Sequence, residues 1–457
     1  METTAWAAYR TCFVRAPCVC NEAVMGMRGM RVAIVGGGIS GLSAACALAR
    51  RGHEVALFER DSEVGGLIRT FDLAGTRVER YYHFLCAGDL GYFDLCRELG
   101  LEGRLRFKRV RTGFFYEGVP YPFTTPWDLL RFTPIPLAQR LRFGAFALEA
   151  RMRKEWRQLD ELRAKPWLID RIGLRAYTVI WEPLLSLKFG EFHERISAAW
   201  VWHRLHRVAR SKGRMGYLEG GAGLLLDTLA SQIRAHGGAI HTERPAREVL
   251  VAQGRVRGVA LEDGEVFECD HVITTLPLPI VADLLPRECE SCAAPLRQIS
   301  YIGVVCAVMK LARPVSSCFW LNVNDRRVPC NGIIEYTNLN PIDRDAGHIV
   351  YVPYYVPVSH PLYTSSDEEV FRRSWEALRV IAPGLHDGDL VSHRVFRAPY
   401  AQAICPSGFL DLLPPADGHV SGLHLLDSVF LYPEDRTQSG LISKVRTCVQ
   451  AMEAQEA

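Results

Sequence analysis

The chain has 457 residues, 48% of them hydrophobic and 23% charged, with a formal net charge of +3. The length exceeds one ordinary core, so two domains are expected, and the composition excludes a disordered or fibrous chain in favour of a well-buried globular enzyme. The near-neutral balance offers nothing to nucleic acid, and no run of 18 apolar residues exists to span a membrane.

The 14 cysteines are scattered through apolar stretches, as at Cys46, Cys96 and Cys306, without paired CxxC motifs. They read as buried free thiols of a reducing, cytoplasmic compartment, with neither disulfides nor a metal site. Met1–Gly29 lacks the continuous apolar core of a secretory signal. It carries Cys12, Cys18 and Cys20 without further ligands at useful spacing. It is expected to be a disordered extension or a mis-called start, with a targeting peptide as the alternative.

The folded part opens at Arg31–Val35, a short apolar run of strand character. Gly36-Gly37-Gly38-Ile39-Ser40-Gly41 follows as GxGxxG. Leu42–Arg51 then reads as an alanine-rich helix, Glu54–Phe58 as a second strand, and Glu59 as the acid at that strand's end. Each position has a mechanical reason in a dinucleotide-binding βαβ unit. Gly36 permits the tight turn, Gly38 lets backbone approach a pyrophosphate, and Gly41 lets helix and strand pack closely. The helix N-terminus offers free N–H groups to phosphate, and Glu59 can accept both ribose hydroxyls of an adenosine.

The next stretch, Glu59-Arg60-Asp61-Ser62-Glu63-Val64-Gly65-Gly66-Leu67-Ile68-Arg69-Thr70, resembles the second fingerprint of the amine oxidase, protoporphyrinogen oxidase and phytoene desaturase superfamily. That resemblance implies FAD, with Glu59 and Arg60 at the ribose end and Gly65-Gly66 passing tightly along the cofactor. Leu67 stands where many members carry Arg or Lys. Glu79-Arg80-Tyr81-Tyr82-His83-Phe84 occupies the place where relatives bring backbone beside the flavin ring, and it also resembles a histidine-containing stretch of UDP-galactopyranose mutases. His83 is the one candidate catalytic residue.

Further along, Arg111–Phe123, with Tyr116 and Tyr121, reads as a pocket-lining hairpin. Leu137, Leu141, Ala145, Leu148, Met152, Trp156 and Leu159 recur at helical steps as one apolar face. Arg140, Arg142, Arg151, Arg153, Lys154 and Arg157 flank it. The face is expected to pack on the substrate domain, or alternatively to lie on a membrane surface as a peripheral contact. Trp181-Glu182-Pro183, Lys188 and Arg204 are candidates for meeting an anionic substrate.

Gly216–Gly221 with Leu224–Ile233, the strand begun by Gly238, and Asp270–Pro277 resemble the family's return to the cofactor domain. Ala246 stands where relatives usually place Val against the adenine. Tyr301–Leu311 and His348–Tyr355 read as strands of a substrate-domain sheet. Ala403-Ile404-Cys405-Pro406-Ser407 does not match the covalent-flavin motif of some amine oxidases, so the FAD is expected to be noncovalent. Leu426-Asp427 replaces the family's Gly-Asp, making Asp427 the candidate for the ribityl hydroxyls and Asp435 its reserve.

The expected fold is therefore α/β: a discontinuous Rossmann-type FAD domain with a parallel sheet (30–75, 213–285 and 415–457) plus an α+β substrate domain (76–212 and 286–414). The resemblance implies an FAD-dependent oxidoreductase that removes hydride from a largely apolar, lipophilic small molecule. Two alternatives share the architecture. One is a mutase-like flavoenzyme acting on a sugar nucleotide without net redox, against which no clear arginine pair of the mutase pattern is visible. The other is a GDP-dissociation-inhibitor-like binding protein, which would have lost the third glycine that Gly41 supplies here.

Overall fold

The computed structural model describes residues 29–211, 213–328, 330–341, 347–417 and 419–456. Apart from Gly29, the N-terminal extension with Cys12, Cys18 and Cys20 lies outside them. Among the described residues no helix is long and apolar enough to cross a membrane. No group of three or more His, Cys, Asp or Glu side chains there could hold a metal, and the eleven described cysteines are free thiols.

Arg31–Val35 is the central strand of a five-stranded parallel sheet in the order Ala239–His241, Glu54–Phe58, Arg31–Val35, His271–Thr274, Leu423–Leu425. Ile34 pairs with Leu57 on one side and Ile273 on the other. All three are buried, as expected of parallel strands covered on both faces, whose sequences read as continuous apolar runs. The helix Ile39–Ala49 packs on this sheet between the helices Gly221–Ala235 and Gln438–Glu456. Three stretches far apart in sequence thus close one layer.

A second sheet of seven strands runs in the order Leu390–Ala403, Tyr301–Leu311, His348–Val356, Gly332–Glu335, Trp320–Val323, Thr112–Tyr116, Val119–Pro122. The long central pair registers Cys306 against Pro353 and Val308 against Tyr351. Helices between Pro126 and Ser211 stand against one end of this sheet. Within them a π-helical turn, Tyr177–Trp181, leads into Glu182–Phe189. Pro183 near its start lacks the N–H that a regular helix would need there, so the widened turn lets the run continue.

One helical expectation is corrected. The helix spans Leu137–Met152 and ends where Arg153 turns extended, so Trp156 and Leu159 do not belong to it. Its buried face is Phe143, Phe146 and Ala150, whereas Leu137, Leu141, Leu148 and Met152 are 57%, 57%, 54% and 65% exposed. Both stripes satisfy a helical period, and period alone cannot choose between them. The aromatic pair carries the larger apolar area, and Phe146 meets Trp167 edge-on at 5.0 Å, so that face goes inward. The flanking arginines are partly engaged with backbone: Arg140 donates to Ile135 O (2.8 Å) and Arg142 to Arg171 O (3.2 Å).

Candidate functional site

The phosphate loop sits at the carboxyl end of the parallel strands, where ligands of open α/β sheets bind. Gly36 turns the chain at φ +106°, a conformation L side chains rarely adopt. A Cβ on Gly41 would stand 2.0 Å from the Gly36 carbonyl oxygen, so helix and loop meet there only through glycine. Gly38 is the opposite case: a Cβ there meets nothing within 4 Å. The open space in front of it, beside the buried N-terminal residues Ile39 and Ser40, is where a phosphate can approach the helix N–H groups.

Glu59 beside the loop is held by two backbone donors. Its Oε2 accepts from Gly37 N–H (2.7 Å) and its Oε1 from Asp61 N–H (3.0 Å). The second glycine motif packs directly on the first. Gly65 N–H donates to Gly37 O at 2.8 Å, and Gly65 and Gly66 adopt φ +127° and +53°. A Cβ on Gly66 would lie 3.3 Å from Gly38 Cα. Arg60 projects outward and is mostly exposed. Leu67 carries no charge, but Arg69 two residues on is buried and pairs with Asp61 at 2.8 Å. Arg244 N–H donates to Glu59 O (2.9 Å), which draws the segment entering Ala246 alongside the acid.

At the far edge of the sheet Asp427 follows the strand Leu423–Leu425. Its carboxylate accepts from Val429 N–H at 2.6 Å. Burial pushes its pKa up to about 6, against the pull of that bond and of Tyr301. Asp435 is engaged elsewhere, 3.0 Å from the Arg204 guanidinium. Cys405 is buried and its sulfur faces the Ala403 carbonyl at 3.7 Å. The glycine cradle, the open position at Gly38 and the doubly anchored Glu59 fit a dinucleotide: Gly36–Gly41 would hold its pyrophosphate, Glu59 its ribose, and Gly65–Gly66 the chain between.

Beyond Leu67 opens a cavity of about 940 Å³. His83 lines it, with Nδ1 2.9 Å from the buried Glu79 carboxylate. Glu79 is fixed in turn by Ala222 N–H (3.2 Å), and its carbonyl accepts from Tyr351 (2.8 Å). The imidazole is thus oriented through one nitrogen, leaving Nε2 without a hydrogen-bond partner among the described residues. Of the hairpin Arg111–Phe123, the alternate residues Thr112 and Phe114 reach the cavity, together with Phe123. Tyr116 and Tyr121 do not line it: Tyr116 Oη accepts from the Arg175 guanidinium at 3.3 Å, and the Tyr121 ring packs edge-on against Phe132 at 5.1 Å. Pro353 and Tyr355 line it as well, while the Tyr351 hydroxyl on the same strand is taken up by the Glu79 carbonyl. Trp181, Lys188 and Arg204 all reach the lining; Glu182 and Pro183 do not.

Sequence reasoning missed the partners. Glu79 four residues before His83 was a legible signal. The convergence of Arg204 on Arg436, absent as any motif, was not. Arg436 donates to Tyr355 Oη at 3.0 Å, and Tyr355 Oη lies 3.4 Å from Tyr82 Oη. A polar thread therefore runs from the segment bearing His83 to the start of the last helix.

Comparisons with known proteins agree with this geometry. The 15-cis-phytoene desaturase of Synechococcus elongatus is 25% identical over 287 residues, covering 56% of this chain and 60% of that protein. The zeta-carotene desaturase of Zea mays is 26% identical over 296 residues, covering 57% of this chain but only 51% of the desaturase. The chain therefore matches between half and three fifths of the length of these curated relatives. Among solved structures, an oxidoreductase from Methanosarcina mazei superposes with a TM-score of 0.73 at 18% identity, over 92% of this chain and 100% of that one. Reduced UDP-galactopyranose mutase superposes at 0.72 and 16% identity, over 93% and 95%. Both show the shared fold. Residues 39–425 match the family model of flavin-containing amine oxidoreductases; the chain belongs to that family.

Proposed function

We propose that the enzyme removes hydride from a largely apolar organic substrate held in the cavity beyond Leu67, with FAD bound noncovalently. The supporting observation is the lining itself: Phe114, Phe123, Phe143, Trp181 and Tyr355 wall a cavity adjoining both the second glycine motif and His83. Such a site holds a carbon skeleton close to a cofactor while excluding water. Bound FAD supplies the two-electron acceptor. The protein's part is to orient the substrate and to offer His83 Nε2, with Glu79 behind it, as a proton acceptor.

Anaerobic mixing with porphyrinogens, polyprenoids and amines should bleach the oxidised flavin for at least one class, and oxygen or a quinone should restore it. If none bleaches it, while dithionite-reduced enzyme interconverts a nucleotide sugar, the mutase reading replaces this one. The approach of Arg204 to Arg436 is the observation that keeps that reading in play.

We also propose that the substrate enters from a lipid surface. The exposed stripe Leu137, Leu141, Leu148 and Met152 adjoins the helix Pro126–Arg131, whose Trp127 is equally bare. Leu148 and Arg151 belong at once to this face and to the cavity lining. Arg131, Arg142 and Arg151 on or beside the stripe are exposed, a pattern suited to an anionic bilayer. The protein should co-sediment with vesicles containing phosphatidylserine, and Leu141→Glu with Leu148→Glu should reduce the bound fraction at least severalfold. Equal sedimentation of the double variant would overturn the contact.

A further inference from the structure

We propose that the cavity recognises an anionic head group, and that its substrate is an amphipathic anion rather than an amine. This rests on the reading that the cavity is the substrate site. Six Lys and Arg side chains line it against two carboxylates, Asp89 and Asp435. Arg207 neutralises Asp89 at 3.1 Å, and Arg204 neutralises Asp435 at 3.0 Å. Lys188, Arg436, Arg109 and Arg151 remain, and none of the four has a carboxylate within ion-pair distance among the described residues.

Lys188 and Arg436 are the telling pair. Lys188 stands on the helix Glu182–Phe189, with its ammonium 4.4 Å from the Tyr355 ring and 5.5 Å from the Trp200 ring. It makes no hydrogen bond to the described residues, and burial and the neighbouring Arg204 push its pKa well below the usual lysine range. Among the described residues the Arg436 hydrogen-bond acceptors are neutral, Tyr355 Oη and the Ala401 carbonyl. Arg204 beside them leaves its buried Nε unpaired while stacking 3.7 Å over Trp200. Three cations thus share the field of one carboxylate, Asp435, which Arg204 already holds, and such an excess of positive charge in an enclosure is costly unless a ligand completes it. FAD's own pyrophosphate does not, because Gly36–Gly41 contribute nothing to this cavity.

A cationic amine would meet repulsion here, whereas a phosphate or carboxylate on an apolar body would find a guanidinium and an ammonium together, with Phe114, Phe143 and Leu148 for its chain. The holoenzyme should be titrated with dodecyl phosphate, dodecanoate, dodecanol, dodecylamine and UDP, by calorimetry and by perturbation of the flavin spectrum. At least one of the two anionic amphiphiles should bind roughly tenfold or more tighter than the alcohol, and the amine weakest; the better of the two identifies the head group. Lys188→Met should erase most of that preference while leaving dodecanol affinity unchanged.

Equal binding of anions and alcohol by the wild type would overturn the proposal and leave the apolar cavity reading intact. If no amphiphile binds, both fall, and tight binding of UDP alone would replace the amphiphile by a nucleotide. If Lys188→Met shifts the flavin reduction potential but leaves the anion preference in place, the cations serve the cofactor and the proposal fails. The wild-type series needs no variant to fold, so it decides the matter alone if Lys188→Met does not accumulate.

Discussion

Gly38→Leu is expected to purify as a folded and colourless protein. The apoprotein has room for the new side chain, since a Cβ at Gly38 meets nothing within 4 Å. That same room is what a pyrophosphate needs to reach the N–H groups at the start of the Ile39–Ala49 helix. A leucine placed there should therefore keep the thermal midpoint within a few degrees of wild type while flavin content falls below about a tenth. Gly41→Val should behave differently, losing fold and flavin together, because its Cβ would overlap the Gly36 carbonyl at 2.0 Å. Glu59→Ala should be intermediate. It removes charge-assisted bonds worth about 1.5–3 kcal/mol each, and so should weaken FAD at least roughly tenfold. Flavin released by denaturation, measured beside a melting curve, separates the three. A yellow Gly38→Leu with stoichiometric FAD would place the pyrophosphate elsewhere.

Asp160→Ala is expected to destabilise the folded protein by about 3 kcal/mol, with FAD affinity little changed once folded. Asp160 is fully buried, and its carboxylate accepts from the Tyr432 hydroxyl and from Leu410 N–H (3.1 Å). The Tyr432 hydroxyl also lies 2.7 Å from Ser197 Oγ, and Gly408 N–H donates to the Asp160 carbonyl. One acid thus ties together four stretches spread over 272 residues of chain. Alanine would leave the part-buried Leu410 N–H without its acceptor and the Tyr432 hydroxyl with Ser197 Oγ alone, besides opening a void in the core, losses of about 1–3 kcal/mol each. Asp160→Asn should cost less, because the amide oxygen keeps one donor and the Tyr432 hydroxyl can rotate to accept from the amide nitrogen. Equilibrium urea unfolding of the two variants tests the order. An Asp160→Ala protein as stable as wild type would show that the network is satisfied by water.

These two positions also mark how far the sequence could be read. Gly36, Gly38, Gly41, Glu59 and Gly65-Gly66 were legible because their demands are local. A turn at positive φ, a missing Cβ and an acid at a strand end are all properties of a few dozen consecutive residues. The strand-like run Tyr301–Leu311 and the strand at Arg31–Val35 were legible for the same reason. By itself the sequence determined the dinucleotide cradle, the flavin family resemblance and most elements of both sheets.

Only the tertiary structure decided the rest. Helical period offered two stripes on Leu137–Met152, and packing of Phe143 and Phe146 chose the one that goes inside, leaving the leucines bare. Asp160 gave no signal, since its partners lie up to 272 residues away. Lys188, Arg204 and Arg436 come from three separate elements, and no spacing rule joins them. Their shared burial, around a single carboxylate that Arg204 already holds, exists only once the helices Glu182–Phe189 and Ala198–Ser211 and the loop before Gln438 close on one cavity. Charge in an enclosure is a property of the whole lining, because the cost of burying it depends on every neighbour that could pair with it.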